Sequence, residues 1–240
     1  LKLNTDYSRL KSESLKELFV KEIEAKIISG QLKPGDRLPP EREIASLMGI
    51  SRNVVNSGIL ELQSKGFVKI IPRKGTLIVD YKKEGTPLIL SSIMNFNEGK
   101  MSLKLFESLM DTRLLIELEC AGLAAVNRTD EDLEALEKLI LDVKENLNDL
   151  ESFVEFNYRF HHQVTIASGN IVYGMIFKSF EPVCKNLIRL YFQDGDYFAQ
   201  SLAAHEKLHE AIKDKDKKSA QELMKEILFE GREELTRLLS

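Results

Sequence analysis

The chain has 240 residues, 43% hydrophobic and 30% charged, with a formal net charge of −4. That supports a proper core in one large domain or two small ones, while the apolar runs are short and broken by charge, which excludes a membrane-spanning helix. The first residues carry no signal-peptide pattern, so a cytoplasmic protein is expected. Cys120 and Cys184 form no CxxC pair and are expected to be buried free thiols.

Leu1 to Lys11 has no periodicity and reads as a loose arm. Leu15, Leu18, Phe19, Ile23 and Ile27 form a helical stripe, ended by Gly30 and the turn Lys33-Pro34-Gly35. Pro39 and Pro40 precede a second helix opening at Glu41, since proline is tolerated in a first turn. Ile44, Leu47 and Met48 are its expected apolar face, and Gly49 stops it. Ser51 is a good N-cap for a third helix. Val55, Ile59 and Leu62 form its buried side, with Arg52, Asn53, Asn56 and Ser57 opposite. Gly58 is expected to weaken this helix by up to about 1 kcal/mol relative to alanine. After Gly66, strands are predicted over Phe67 to Ile71 and Thr76 to Asp80, around the turn Pro72-Arg73-Lys74-Gly75. Two helices joined by a tight turn and followed by a basic-tipped hairpin describe a winged helix-turn-helix.

A polar linker at Lys82 to Thr86 places a domain boundary after residue 83, giving domains over 1–83 and 84–240. The rest reads helical. One stripe is Leu105, Leu109, Thr112, Ile116 and Leu123. A second, after Thr129 as N-cap, is Leu133, Leu136, Ile140, Val143, Leu147 and Leu150. A third is Phe153, Phe156, Phe160, Val164 and Ala167. A fourth helix is expected from Ile171 to Phe192, kinked at Pro182. Phe198, Leu202, His205, His209 and Ile212 mark the fifth, and Ala220, Leu223, Ile227 and Leu235 the last. The expected fold is mainly α: a winged helix-turn-helix with a two-stranded hairpin, then an antiparallel all-α bundle. Charge divides likewise. Residues 1–83 hold 16 Lys+Arg against 10 Asp+Glu, and the remainder 18 against 28. A basic N-terminal part and an acidic C-terminal part suit a DNA reader with a separate regulatory domain.

Arg52 stands at the start of the recognition helix, where arginine can donate two hydrogen bonds to guanine. Arg42, Ser51, Asn53 and Asn56 are further candidates for phosphate or base contact. Arg73, Lys74 and Gly75 form a wing tip suited to phosphates or a minor groove. A pair of Arg42 with a nearby glutamate, and a plain turn at Arg73-Lys74, are the readings without DNA.

The motifs Leu38-Pro39-x-Glu41-Arg42-Glu43, Gly49-Ile50-Ser51-Arg52, Leu62-x-x-x-Gly66 and Gly75-Thr76, with the Gly30 to Gly35 turn, resemble the DNA-binding domain of GntR-type bacterial regulators. The resemblance implies DNA contact at Arg42, Arg52 and Gly75. Where the family has a Val-Arg-Glu-Ala-Leu run, this chain has Val55-Asn56-Ser57-Gly58-Ile59. Asparagine reads adenine rather than guanine, so a different operator is expected.

Asp111-Thr112-Arg113-x-x-x-Glu117, Phe160-His161, Ala167-Ser168-Gly169-Asn170 and His205 resemble the FCD effector domain of the FadR subfamily. Metal-binding members hold a divalent ion, zinc or nickel, with one Asp and three His. The matching positions here are Asn157, His161, His205 and Ile227, so one ligand is lost and one weakened. A polar cluster lining a pocket is the alternative. Arg113 is expected either to hold an acidic effector or to pair with Glu117. Arg113, Asn157, His161 and His205 are expected to line one cavity closed by Ile227, with His162 and His209 facing elsewhere. The Phe160 to Tyr173 region and Arg189-x-Tyr191-Phe192 also resemble the branch that binds acyl-coenzyme A without metal. The function implied is a homodimeric, ligand-responsive regulator reading a palindromic double-stranded operator. The alternatives are a metal-assisted enzyme using His161 and His205, and a constitutive DNA-binding protein.

Overall fold

The computed structural model describes residues 13–96, 101–146, 149–193 and 197–239. The Leu1 to Lys11 arm and Leu147 lie outside the described residues. The chain divides into two compact units, Leu1–Phe96 and Asn97–Ser240.

In the first unit, helix α1 (Leu15–Ile28) opens on a capping box between Ser14 and Glu17. Phe19, Val20, Ile23 and Ile27 enter the core, whereas Leu15 and Leu18, expected with them, are about half exposed. The packed part of this face begins one turn later than its apolar pattern. Helix α2 (Glu41–Met48) ends at Gly49 in a left-handed conformation (φ 64°) and buries Ile44 and Ala45. Leu47, expected inside, is 75% exposed. It lies about 200° around the helix from Ala45, and so short a helix presents a single turn to the core. Helix α3 (Arg52–Lys65) is capped by the Ser51 hydroxyl, which accepts from the Val54 N–H at 3.3 Å. Val55, Ile59 and Leu62 are fully buried against Phe19, Ile23, Phe67 and Ile78.

Gly58 has a packing role that the sequence reading lacked. A Cβ there would stand 2.3 Å from Phe19 Cδ1 and 2.6 Å from Cε1, so α1 crosses α3 at this glycine. Gly58→Ala adds helix propensity worth up to about 1 kcal/mol but overpacks a filled contact, at a cost of roughly 1–3 kcal/mol. Urea denaturation is expected to show a net loss of stability, not a gain.

Strands β1 (Val68–Ile71) and β2 (Gly75–Ile78) pair antiparallel, with Val68 opposite Ile78 and Ile71 opposite Gly75. The chain between α1 and α2 pairs with the other edge of β2. The Ile78 N–H donates to the Asp36 carbonyl at 2.8 Å, and the Leu38 N–H to the Thr76 carbonyl at 2.9 Å. These bonds fix the hairpin to the helices. Its turn holds Arg73 at φ 62°, the left-handed region that glycine usually fills. The polar stretch expected as a linker starts as a short helix α4 (Tyr81–Glu84) capped by Asp80. Helix α5 (Ile89–Phe96), which the sequence reading did not separate, packs against α1 and puts Ile89 into the core. The division of the chain therefore falls after Phe96 rather than after residue 83.

The second unit has seven helices among the described residues: α6 (Leu103–Asn127), α7 (Asp130–Lys144), α8 (Leu150–Ala167), α9 (Ile171–Ser179), α10 (Glu181–Phe192), α11 (Phe198–Lys213) and α12 (Lys217–Leu239). Helix α8 packs against α6, α7, α9 and α10, while α12 runs along α6 and α11. Phe153, Phe156, Phe160, Val164 and Ala167 are all buried, as their spacing predicts. The inner face of α6 differs from its expected stripe. Leu109 is buried as expected, but the rest of the face is Phe106, Met110, Arg113, Glu117, Cys120, Ala121 and Ala124, with Leu115 75% exposed. The small residues let neighbouring helices approach, and an internal ion pair replaces the leucine row. The expected kinked helix is two helices. Phe180 separates α9 from α10, and Pro182 sits in the first turn of α10, where its missing N–H has no helical partner to lose. Among the described residues no helix is long and apolar enough to cross a membrane.

Candidate nucleic-acid interface and effector cavity

The helix-turn-helix presents Arg42 at the start of α2, and Arg52, Asn53 and Asn56 on the outer face of α3, all exposed. Arg73, Lys74 and Gly75 are exposed at the hairpin tip. The side chains of Arg42, Arg52, Arg73 and Lys74 make no hydrogen bond or ion pair among the described residues. Lys16 and Lys65 of the same unit, by contrast, pair with Glu61 and Glu24, each at 2.8 Å. The pairing of Arg42 with a neighbouring glutamate is thus not what the structure shows. Cations without internal partners keep their full charge for phosphates. Ser51 mainly holds the helix terminus. Asn56 is engaged as well: its Nδ2 donates to Glu41 Oε1 at 2.9 Å, joining α3 to the start of α2.

In the bundle, Arg113 and Glu117 lie one turn apart on the buried face of α6, with Glu117 wholly inaccessible. Arg113 Nε donates to Glu117 Oε1 at 2.6 Å, and His161 Nδ1 donates to Glu117 Oε2. Burial alone would raise the carboxyl pKa of Glu117, but the charge of Arg113 and the bond from His161 outweigh it and hold it down to about 2. His205 Nδ1 donates to the Ser201 carbonyl at 2.6 Å, which leaves Nε2 an acceptor. Asn157 Nδ2 approaches that nitrogen at 3.4 Å, and His161 Nε2 stands 3.3 Å from it. Burial, and then the neighbouring His161, depress the pKa of His205 to about 3, so it is neutral near pH 7.

Some of these groups border a partly open pocket of about 60 Å³. Arg113, Asn157 and His161 line it, with Tyr191, Ser201 and Ile227 among the other walls. His205, expected as a fourth lining residue, sits behind His161 and does not reach the cavity. Arg113 was expected to hold either an effector or Glu117. The pair with Glu117 engages only Nε, and among the described residues its two Nη groups have no hydrogen-bond partner. Sequence reasoning gave Glu117 only an i,i+4 pair with Arg113; its full burial and its bond to His161 depend on another helix, which its spacing does not reveal. His162 stacks near Tyr158 and Phe177 and borders a separate groove, and His209 is buried with Nε2 unpaired.

A four-ligand divalent site does not fit these residues. Two imidazoles converge, but the nearest atom of Asn157 is an amide nitrogen, Ile227 is apolar, and Glu117 is committed to Arg113 and the outer nitrogen of His161. Among the described residues no three His, Cys, Asp or Glu side chains are grouped to hold an ion. The donor set also gives metal-assisted hydrolysis no footing.

Comparison with known proteins agrees with both halves. The profile described as bacterial regulatory proteins, gntR family, matches residues 15–78, and that of the FCD domain matches residues 108–229. A fatty acid metabolism regulator protein from Shewanella denitrificans is 27% identical over 176 residues, covering 73% of this chain and 72% of the relative. A solved structure of Lar, described as controlling expression of the Listeria monocytogenes agr system, has a TM-score of 0.69 at 20% identity, covering 95% of this chain and all of Lar. Escherichia coli McbR/YncC has a TM-score of 0.54, also at 20% identity, covering 95% of this chain and all of McbR/YncC. The gntR-family profile and the relative named a fatty acid metabolism regulator set aside the enzyme reading. With a winged helix-turn-helix carrying unpaired cations, and a helical bundle matched by the effector-domain profile, the chain belongs to the GntR family of bacterial transcription regulators, in its FadR subfamily.

Proposed function

We propose that the bundle cavity binds a small carboxylate and that its occupancy alters operator binding. One observation carries this reading: a buried guanidinium lines a partly open pocket, and among the described residues both its Nη groups are without a hydrogen-bond partner. A planar fork of N–H donors matches a carboxylate in a two-bond contact. The volume, about 60 Å³, admits a ligand of few heavy atoms, since one buried water needs only about 10–15 Å³ on the same scale. Arg113, Asn157 and His161 contact the ligand, and His205 acts from behind through His161. No metal takes part in this reading.

At the other end, Arg42, Ser51, Arg52, Asn53 and Asn56 meet the major groove and Arg73, Lys74 and Gly75 meet phosphates or the minor groove. The protein works in the cytoplasm as a homodimer on a palindrome. An apolar face of the bundle supports association: Ile171, Val172, Met175 and Ile176 lie exposed along one side of α9.

A second reading, an acyl thioester effector, draws on the relative named a fatty acid metabolism regulator and on the apolar walls Leu187, Ile188 and Leu235. Thermal-shift measurements with acetate, propionate, lactate and a long-chain acyl-coenzyme A separate the two. A ligand at 100 times its Kd stabilises by about 2.7 kcal/mol. Stabilisation by a short acid is the expected result. Stabilisation by the thioester alone would favour the second reading, and none by any of these would remove the cavity as their site.

A further inference from the structure

The bond from Asn56 to Glu41 limits what Asn56 can read. Glu41 opens α2, where a negative side chain is favoured by the helix terminus. Asn56 lies in the second turn of α3, on the same exposed face as Arg52 and Asn53. Only 2.9 Å separates Asn56 Nδ2 from Glu41 Oε1. An amide can ordinarily rotate to exchange its oxygen and nitrogen. A carboxylate has no proton to donate, so only the N–H end of the amide can face it. Oδ1 is therefore directed away from Glu41, as an acceptor.

We infer that Glu41 is a positioning residue that locks the amide of Asn56, so that the base beneath it is selected for an amino group. This rests on the proposal that Asn56 meets the major groove. In that groove adenine offers the N6 amino group and cytosine the N4 amino group, while guanine offers O6 and N7 and thymine O4, all acceptors. Two acceptors facing each other lose a hydrogen bond and gain repulsion. Adenine gains further if the second N–H of the amide reaches N7. The selected class is an amino-bearing base. Guanine, which an arginine at this position would read, leaves Oδ1 facing an acceptor and can be met only by the second N–H, so it is disfavoured.

The test is selection from randomised operator DNA by the full-length protein, followed by affinity measurements on single-base variants. Asn56→Ala identifies the position that Asn56 reads, as the one whose preference disappears. Wild-type protein is expected to favour adenine or cytosine there over guanine or thymine by about tenfold, in the range of a single mismatch. Glu41→Gln keeps the shape but can donate to Oδ1, which frees the amide to turn. The preference should then fall below about twofold at that position only, with random-sequence affinity and the circular dichroism spectrum unchanged. A merely structural role for Glu41 would weaken all sites alike. The inference is overturned if Glu41→Gln retains the wild-type preference, if wild type selects guanine or thymine there, or if loss of preference spreads to every position. If Asn56→Ala changes no position, Asn56 does not read a base and the underlying placement fails as well. Should Glu41→Gln fail to fold, Glu41→Ala provides the same comparison.

Discussion

Glu117→Ala is expected to destabilise the helical unit by roughly 3–5 kcal/mol, the usual effect of stranding one half of a buried ion pair. Arg113 would be left 7% exposed without its carboxylate, and His161 would lose the acceptor for Nδ1. The cost comes from the orphaned charge more than from the lost attraction. Glu117→Ala with Arg113→Met should therefore recover much of the loss, which a denaturant series on the single and double variants measures. Equal or greater loss in the double variant would show that the pair holds the fold by packing. The carboxyl of Glu117 is held at about 2 in the fold, below its unfolded value, so its contribution is present above the unfolded pKa and is lost as pH falls toward 2. His205 acts in the same direction. Its folded pKa, about 3, lies below the unfolded value, so between the two the unfolded chain binds more protons and stability falls as pH falls. Acid should weaken this unit from near pH 6.5, the unperturbed value for histidine, downward.

Arg52→Ala should cost roughly 1–3 kcal/mol on the cognate operator and far less on random DNA. The guanidinium is exposed, unpaired and placed at the first residue of the recognition helix. No internal partner is lost, so folding should be unaffected and the effect should appear in binding alone. Equal losses on both DNAs, measured by titration at one salt concentration, would make Arg52 a phosphate contact only.

The winged domain was readable because each of its signals is local. Ser51 as cap, Gly49 and Gly66 as stops, and Val55, Ile59 and Leu62 at helical spacing each require only a few neighbours. Helix α6 was not, because Leu114, Leu115, Ile116 and Leu118 compete with an alanine-rich face for the interior. Which face wins depends on other helices and on burial of the Arg113–Glu117 pair, which no periodicity reveals. Helix α5 is only eight residues long, so its apolar pattern covers barely two turns and does not stand out from the polar stretch before it. At the cavity, His161 and His205 were expected close together and stand 3.3 Å apart. What could not be read was depth: His205 touches His161 but not the cavity. Gly58 was read by propensity alone, since its reason, Phe19, lies on another helix.

Operator affinity, followed by fluorescence anisotropy while a stabilising carboxylate is added, tests the coupling of cavity to DNA most directly. Wild-type protein is expected to change affinity by about 5- to 150-fold, the usual span of such couplings. Arg113→Lys keeps a cation beside Glu117 but removes the fork. It should bind operator normally without ligand and lose the response. A carboxylate that stabilises the bundle yet leaves operator affinity unchanged, or a full response in Arg113→Lys, would contradict the assignment.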